Sequence, residues 1–171
     1  MTNENDSQSR PPVSPYVGRM SYELDLELAF EDELVALGLS VWREAGREGD
    51  LPSRRDFDPL TMPPRLLPHI LLIDVIRQAA TRFRWRLVGT YITGRVGRDM
   101  TGQYWDDIYE GDVLDEMSKA PLWVLEHRQP IRAIGAAPME DRKFLTSENL
   151  FAPLAPDGEA IDMLFAVSVL K

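Results

Sequence analysis

RFRWRLVGTYITGRVGRDMTG, Arg82 to Gly102, is the stretch that points to the scaffold. Phe83, Trp85 and Leu87 alternate with Arg84, Arg86 and Val88, the period of a strand with two distinct faces. Gly89, Gly94, Gly97 and Gly102 then interrupt the pattern, so the backbone is expected to turn repeatedly as a coil. Apolar residues nevertheless continue through the turns, at Tyr91, Ile92, Val96, Met100, Trp105 and Ile108. A coil that turns while supplying apolar side chains reads as the wall of a pocket.

Strands flank this region on both sides. His69 to Ile76 is short, apolar and branched, and the tight connection Gln78 to Thr81 makes it a hairpin partner of the Arg82 strand. Downstream, Asp112 is placed to cap a helix with Val113, Leu114, Met117, Leu122 and Leu125 facing inward, although Pro121 is expected to kink or interrupt it. Three strands follow, at Ile131 to Ala137, Glu148 to Leu154 and Met163 to Leu170, the last two joined through an Asp157-Gly158 turn. Two strands, a helical segment and three more strands predict an α+β fold. Its five-stranded antiparallel sheet carries the helices on one face.

Residues 1–19 are polar and dotted with prolines, a composition expected to remain disordered. Residues 20–48 are expected to form an amphipathic helix. Leu26, Phe30, Leu34, Leu37 and Val41 make one apolar stripe from Tyr22 to Arg47, and Leu24, Leu28, Val35, Leu39 and Trp42 widen it. That width fits either a cover for the core or a surface for a homodimer or protein partner. Residues 49–64, with four prolines, read as an extended linker, and residues 65–171 as the folded domain.

The chain has 171 residues and no cysteine, which excludes disulfides, thiol nucleophiles and cysteine-ligated metals and fits a reducing compartment. A net charge of -9 weighs against nucleic-acid binding. No run of apolar residues is long enough for a membrane span, and the N-terminus has no signal-peptide pattern, so the expected location is cytoplasmic.

LPSRRDFDP, LPHILLIDVI, RFRWRLVGT, GRDMTG and the PLAPDG turn together resemble the landmarks of a bacterial single-domain PAS-like family, over roughly Trp42 to Val169. EHRQPI, Glu126 to Ile131, resembles the helix-to-strand junction of PAS domains generally. The resemblance implies a non-enzymatic sensory or regulatory module that takes a small ligand, a signalling protein or both. With no output domain expected after Lys171, it implies action through another protein. The cofactor is open: flavin photochemistry lacks its cysteine, and His69 and His127 are not placed as haem ligands.

Six arginines and no acid lie between Arg77 and Arg98. Arg84 or Arg86 is expected either to brace the coil by pairing with Asp99 or, with Arg86 and Arg98 acting together, to hold an anionic ligand. Tyr91, Met100, Trp105, Met117 and Trp123 are the remaining candidate lining of the ligand site. The alternative function is a small-pocket enzyme of the NTF2-like type, using Asp74, Asp99 or His127 as acid and base.

Overall fold

The computed structural model describes residues 14–171. Its elements are β1 (Ser21–Asp25), α1 (Glu33–Ala45), β2 (Ile70–Arg77), β3 (Thr81–Val88), α2 (Thr90–Val96), α3 (Trp105–Ile108), α4 (Gly111–His127), β4 (Ile131–Ala136), β5 (Thr146–Leu154) and β6 (Met163–Leu170). The strands form one antiparallel sheet in the order β1-β4-β5-β6-β2-β3. This is the expected α+β layout, with six strands in place of five.

The sixth strand comes from the segment expected to be the first half of a helix. Tyr22 and Leu24 alternate with exposed neighbours, and Ser21 to Asp25 pairs with Ala136 to Arg132 of β4. The strand ends at Asp25, whose carboxylate accepts from the Glu27 and Ala29 amides and turns the chain. Leu28 takes a left-handed backbone there, with φ of 57°. The helix starts only after Asp32, which caps the Leu34 amide. A stripe at three-and-four spacing therefore spanned two elements of different period. Ser14 to Arg19, expected to be disordered with the residues before it, packs instead: Tyr16 bridges Met139 and lies 6.1 Å from the Tyr109 ring. The rest of that expected tail lies outside the described residues.

Both faces of the sheet are covered, so β5 and β6 are buried almost throughout. On one face α1 packs across β5 and β6. Gly38 permits the close approach, since a Cβ there would stand 2.5 Å from a Val167 methyl. The segment expected to be an extended linker joins this layer. Ser53 and Asp56 form a capping box, and the Phe57 ring stacks on Phe165 at 4.9 Å. On the other face lie α2, α3 and α4 over Ile73, Trp85, Ile131 and Leu164. The coil expected after Gly89 is in part the helix α2, closed by Gly97 in the left-handed conformation. Pro121 does not interrupt α4. It is buried between Met117 and Val124, where packing offsets the roughly 3 kcal/mol that a mid-helix proline costs.

One irregularity changes which residues face where. Leu71 pairs with Val88 and Leu72 with Leu87, but Ile73 pairs with Trp85, so Arg86 is an extra residue in β3. The alternation loses its phase at that bulge: Phe83, Trp85 and Val88 are buried while Leu87 is exposed. The outer side of β3 is also occupied. Gly102 donates to the Trp85 carbonyl at 2.6 Å and Trp85 donates to the Gln103 carbonyl at 3.0 Å, so residues 102–104 lie along β3 as a strap.

Candidate functional site

The space between the sheet and α2 to α4 is where the sequence places a pocket. Most of it is filled by aromatic rings. Trp85 and Trp105 lie 4.8 Å apart, Phe83 and Trp105 5.2 Å, and Trp105 meets Tyr109 edge-on at 6.3 Å. What remains is a cavity of about 40 Å³ bordered by Tyr16, Tyr22, Leu71, Trp85, Ile92, Met100, Met117, Ser147, Asn149, Phe151, Ser168 and Leu170. Such a space holds at most a few water molecules, well short of the ~300 Å³ of an ordinary ligand pocket.

Its floor is polar and closed upon itself. Ser168 Oγ donates to Asn149 Oδ1 at 2.6 Å, Asn149 Nδ2 donates to Ser147 Oγ and to the Ala133 carbonyl, and Ser147 Oγ donates to Tyr22 Oη. Every hydrogen-bonding atom of the Asn149 amide except its second oxygen lone pair thus has a partner. Nearby, Trp85 Nε1 donates to Tyr109 Oη and Tyr109 Oη donates to Met100 Sδ. Burial pushes the Tyr16, Tyr22 and Tyr109 phenols above their ordinary range, so all three stay neutral.

Two of the seven expected ligand contacts, Met100 and Met117, line this cavity. Trp105 lies behind it in the core. Tyr91 stands at its margin, donating to the Leu170 carbonyl with its ring 4.0 Å from His69. Trp123 is farther along α4 and stacks on His127. Arg86 is exposed at the bulge, and Arg98 lies between α2 and α3. Tyr16, Tyr22, Ser147, Asn149, Phe151 and Ser168 were not foreseen. Ser147 and Asn149 carry a signal, polar residues two apart in an apolar strand, as does Ser168 within LFAVSVL.

The arginines take different partners from those expected. Arg84 does not meet Asp99: it pairs through Nε and Nη2 with Asp74 Oδ2 at 3.0 and 2.7 Å, because Asp74 is directly opposite on β2. Arg82 uses the same edge on Asp106, at 2.7 and 3.0 Å. Asp99 instead accepts from the Thr101 amide in its own turn, and the Thr101 side chain and then that amide lower its pKa. Asp74, Asp99 and His127, the acid and base candidates, therefore each have a separate local partner. Among the described residues no cluster of His, Asp and Glu is arranged to hold a metal ion, and no helix is long and apolar enough to cross a membrane.

Further recesses lie elsewhere, among them one of about 340 Å³ between α1 and residues 56–63, bordered by Leu37, Val41, Met62 and Pro63. LPSRRDFDP and PLAPDG come together through the Ala155 amide, which donates to the Pro52 carbonyl, and border a polar cleft of about 280 Å³ beside Arg47 and Arg55. On the α1 side of the sheet, Phe57, Pro59, Met62, Leu67, Leu72 and Leu87 line an apolar groove of about 200 Å³, with Arg54 at its margin.

The chain matches a family model described as PAS domain over residues 35–168, and it belongs to that family. No curated protein and no solved structure matches it.

Proposed function

We propose that this member of the PAS domain family is a regulatory module that works through contact with a protein partner, and that the partner's apolar side chains enter the groove at Leu87. The contrast between the cavity and the groove supports this reading. The enclosed cavity of about 40 Å³ is too small for a bulky cofactor, whereas the groove of about 200 Å³ is open and has room for one or two side chains.

The bulge at Arg86 is what creates the groove's outer wall, by turning Leu87 to the outside. Leu60, next to the groove residue Pro59, is almost wholly exposed and enlarges the apolar surface. Helix α1 is a weaker candidate for the contact. Val35, Gly38 and Leu39 are turned into the sheet, and Leu34, Leu37 and Val41 are already half-buried.

The test is differential affinity capture with the wild type and Leu87→Asp, both first shown to be folded by circular dichroism. A partner retained by the wild type and lost by L87D supports the reading, and sedimentation shows whether that partner is a second copy of the chain. Identical retention by both proteins refutes the groove. A stoichiometric bulky ligand in the native mass of the purified protein refutes the broader reading.

A further inference from the structure

Among the described residues, Arg98 is the charged residue with buried nitrogens that bond to nothing. Its Nε and Nη2 are both shielded from solvent and neither donates to an acceptor. Of the two other unpartnered buried side-chain atoms, Gln103 Oε1 lies in the same connection between α2 and α3 and Trp105 Nε1 at the first residue of α3. Buried polar groups are almost always paired, and a guanidinium is among the costliest to leave unpaired. Asp99, next in sequence, is committed to the Thr101 amide.

The geometry of the vacant edge narrows the missing partner. Nε–H and Nη2–H of an arginine form a planar fork that matches the two oxygens of a carboxylate. This chain fills the same edge with a carboxylate in both neighbouring cases, Arg82 with Asp106 and Arg84 with Asp74. Gly97 and Gly102, with φ of 81° and 86°, turn the chain on either side of Arg98 to Thr101.

We infer that the Nε and Nη2 edge of Arg98 is a binding site for a small carboxylate, presented by the connection from Gly97 to Tyr104 that joins α2 to α3. The inference does not require the groove to be the partner surface. It adds to that reading a ligand that the module senses.

Acetate, succinate and glutarate, each compared with sodium chloride at equal ionic strength, are the probes. The readouts are the side-chain Nε–Hε resonance of Arg98 and the thermal midpoint. At least one carboxylate is expected to move the resonance saturably and to raise the midpoint with its concentration. Arg98→Met removes both effects, yet without ligand it melts no lower than wild type because it no longer leaves two shielded guanidinium nitrogens without a partner. Arg98→Lys keeps the charge and loses the fork, so it folds and binds about tenfold more weakly or worse. A ligand-free R98M that melts well below wild type, equal binding by R98K, or a response only to acidic peptides or to chloride overturns the inference, as does no response to any of the three acids.

Discussion

Replacing Arg132 with Met tests the account of how the two layers are joined. Arg132 is only 5% exposed and donates through Nε to Glu148 at 2.7 Å and through Nη1 to Asp25 at 3.0 Å. Glu148, equally buried, also accepts from the Glu31 and Asp32 amides at 2.9 and 2.8 Å, which fixes the start of α1 to β5. R132M leaves the Glu148 carboxylate with those two amides and with the Lys171 ammonium at 3.8 Å. Stranding a buried charge costs about 3–5 kcal/mol, and the surviving amide bonds place this case near the lower end, at about 3 kcal/mol. For a chain of this length that is a fall in Tm of roughly 6–12 °C. Urea unfolding followed by tryptophan fluorescence and circular dichroism measures it. In the double variant R132M/E148Q the residue at 148 still accepts hydrogen bonds but is uncharged, so about 1–2 kcal/mol should return relative to R132M. A cost below about 1 kcal/mol for R132M, or no recovery in the double variant, would show that the buried cluster is not what ties α1 to the sheet.

Gly89→Ala should destabilise the fold by more than about 3 kcal/mol, since its Cβ would stand 2.2 Å from the Pro68 carbonyl oxygen at the turn from β3 into α2. Thermal melting checks it, and a wild-type midpoint would contradict the turn geometry. Gly135→Ala places a Cβ 1.7 Å from the Ser21 carbonyl oxygen, so β1 should part from β4 while the other five strands persist. Hydrogen exchange would then show lost protection at Ser21 to Asp25 alone, and unchanged protection there refutes the prediction. Acid should weaken the protein, because Asp99, Asp106 and Asp157 are held below their ordinary pKa by the Thr101 side chain, by Arg82 and by the Glu159 amide respectively. The unfolded chain takes up these protons first, so stability is present above about pH 4 and is lost as the pH falls through the lowered folded values. A urea midpoint that stays level between pH 6 and pH 3 would be the contrary result.

The strands were readable wherever one period held over a whole element. HILLIDVI and MLFAVSVL are buried on both faces and so are apolar except at His69, Asp74 and Ser168, and local composition alone identified them. The sequence from Tyr22 to Arg47 misled because a helical spacing of leucines ran across a strand, a turn at Asp25 and a capped helix. Nothing local distinguishes a leucine that faces α4 from one that faces β6. The site was less legible for a related reason. Arg84 meets Asp74 through a ladder set by the hairpin, whereas Arg86 is displaced by a one-residue bulge that the alternation RFRWRLV does not announce. Ser147, Asn149 and Ser168 become a single network only when β5 and β6 are laid side by side.

The strap formed by residues 102–104 also limits how the protein can assemble. With Gly102 and Gln103 bonded to Trp85, the free margin of the sheet at β3 is closed to a strand from another molecule. At the opposite margin the Tyr22 amide donates to Glu116 of α4, so β1 is engaged there too. Extending the sheet from one molecule into the next would require breaking one of these internal attachments. A contact with another molecule would therefore run through side-chain surfaces and not through an added strand.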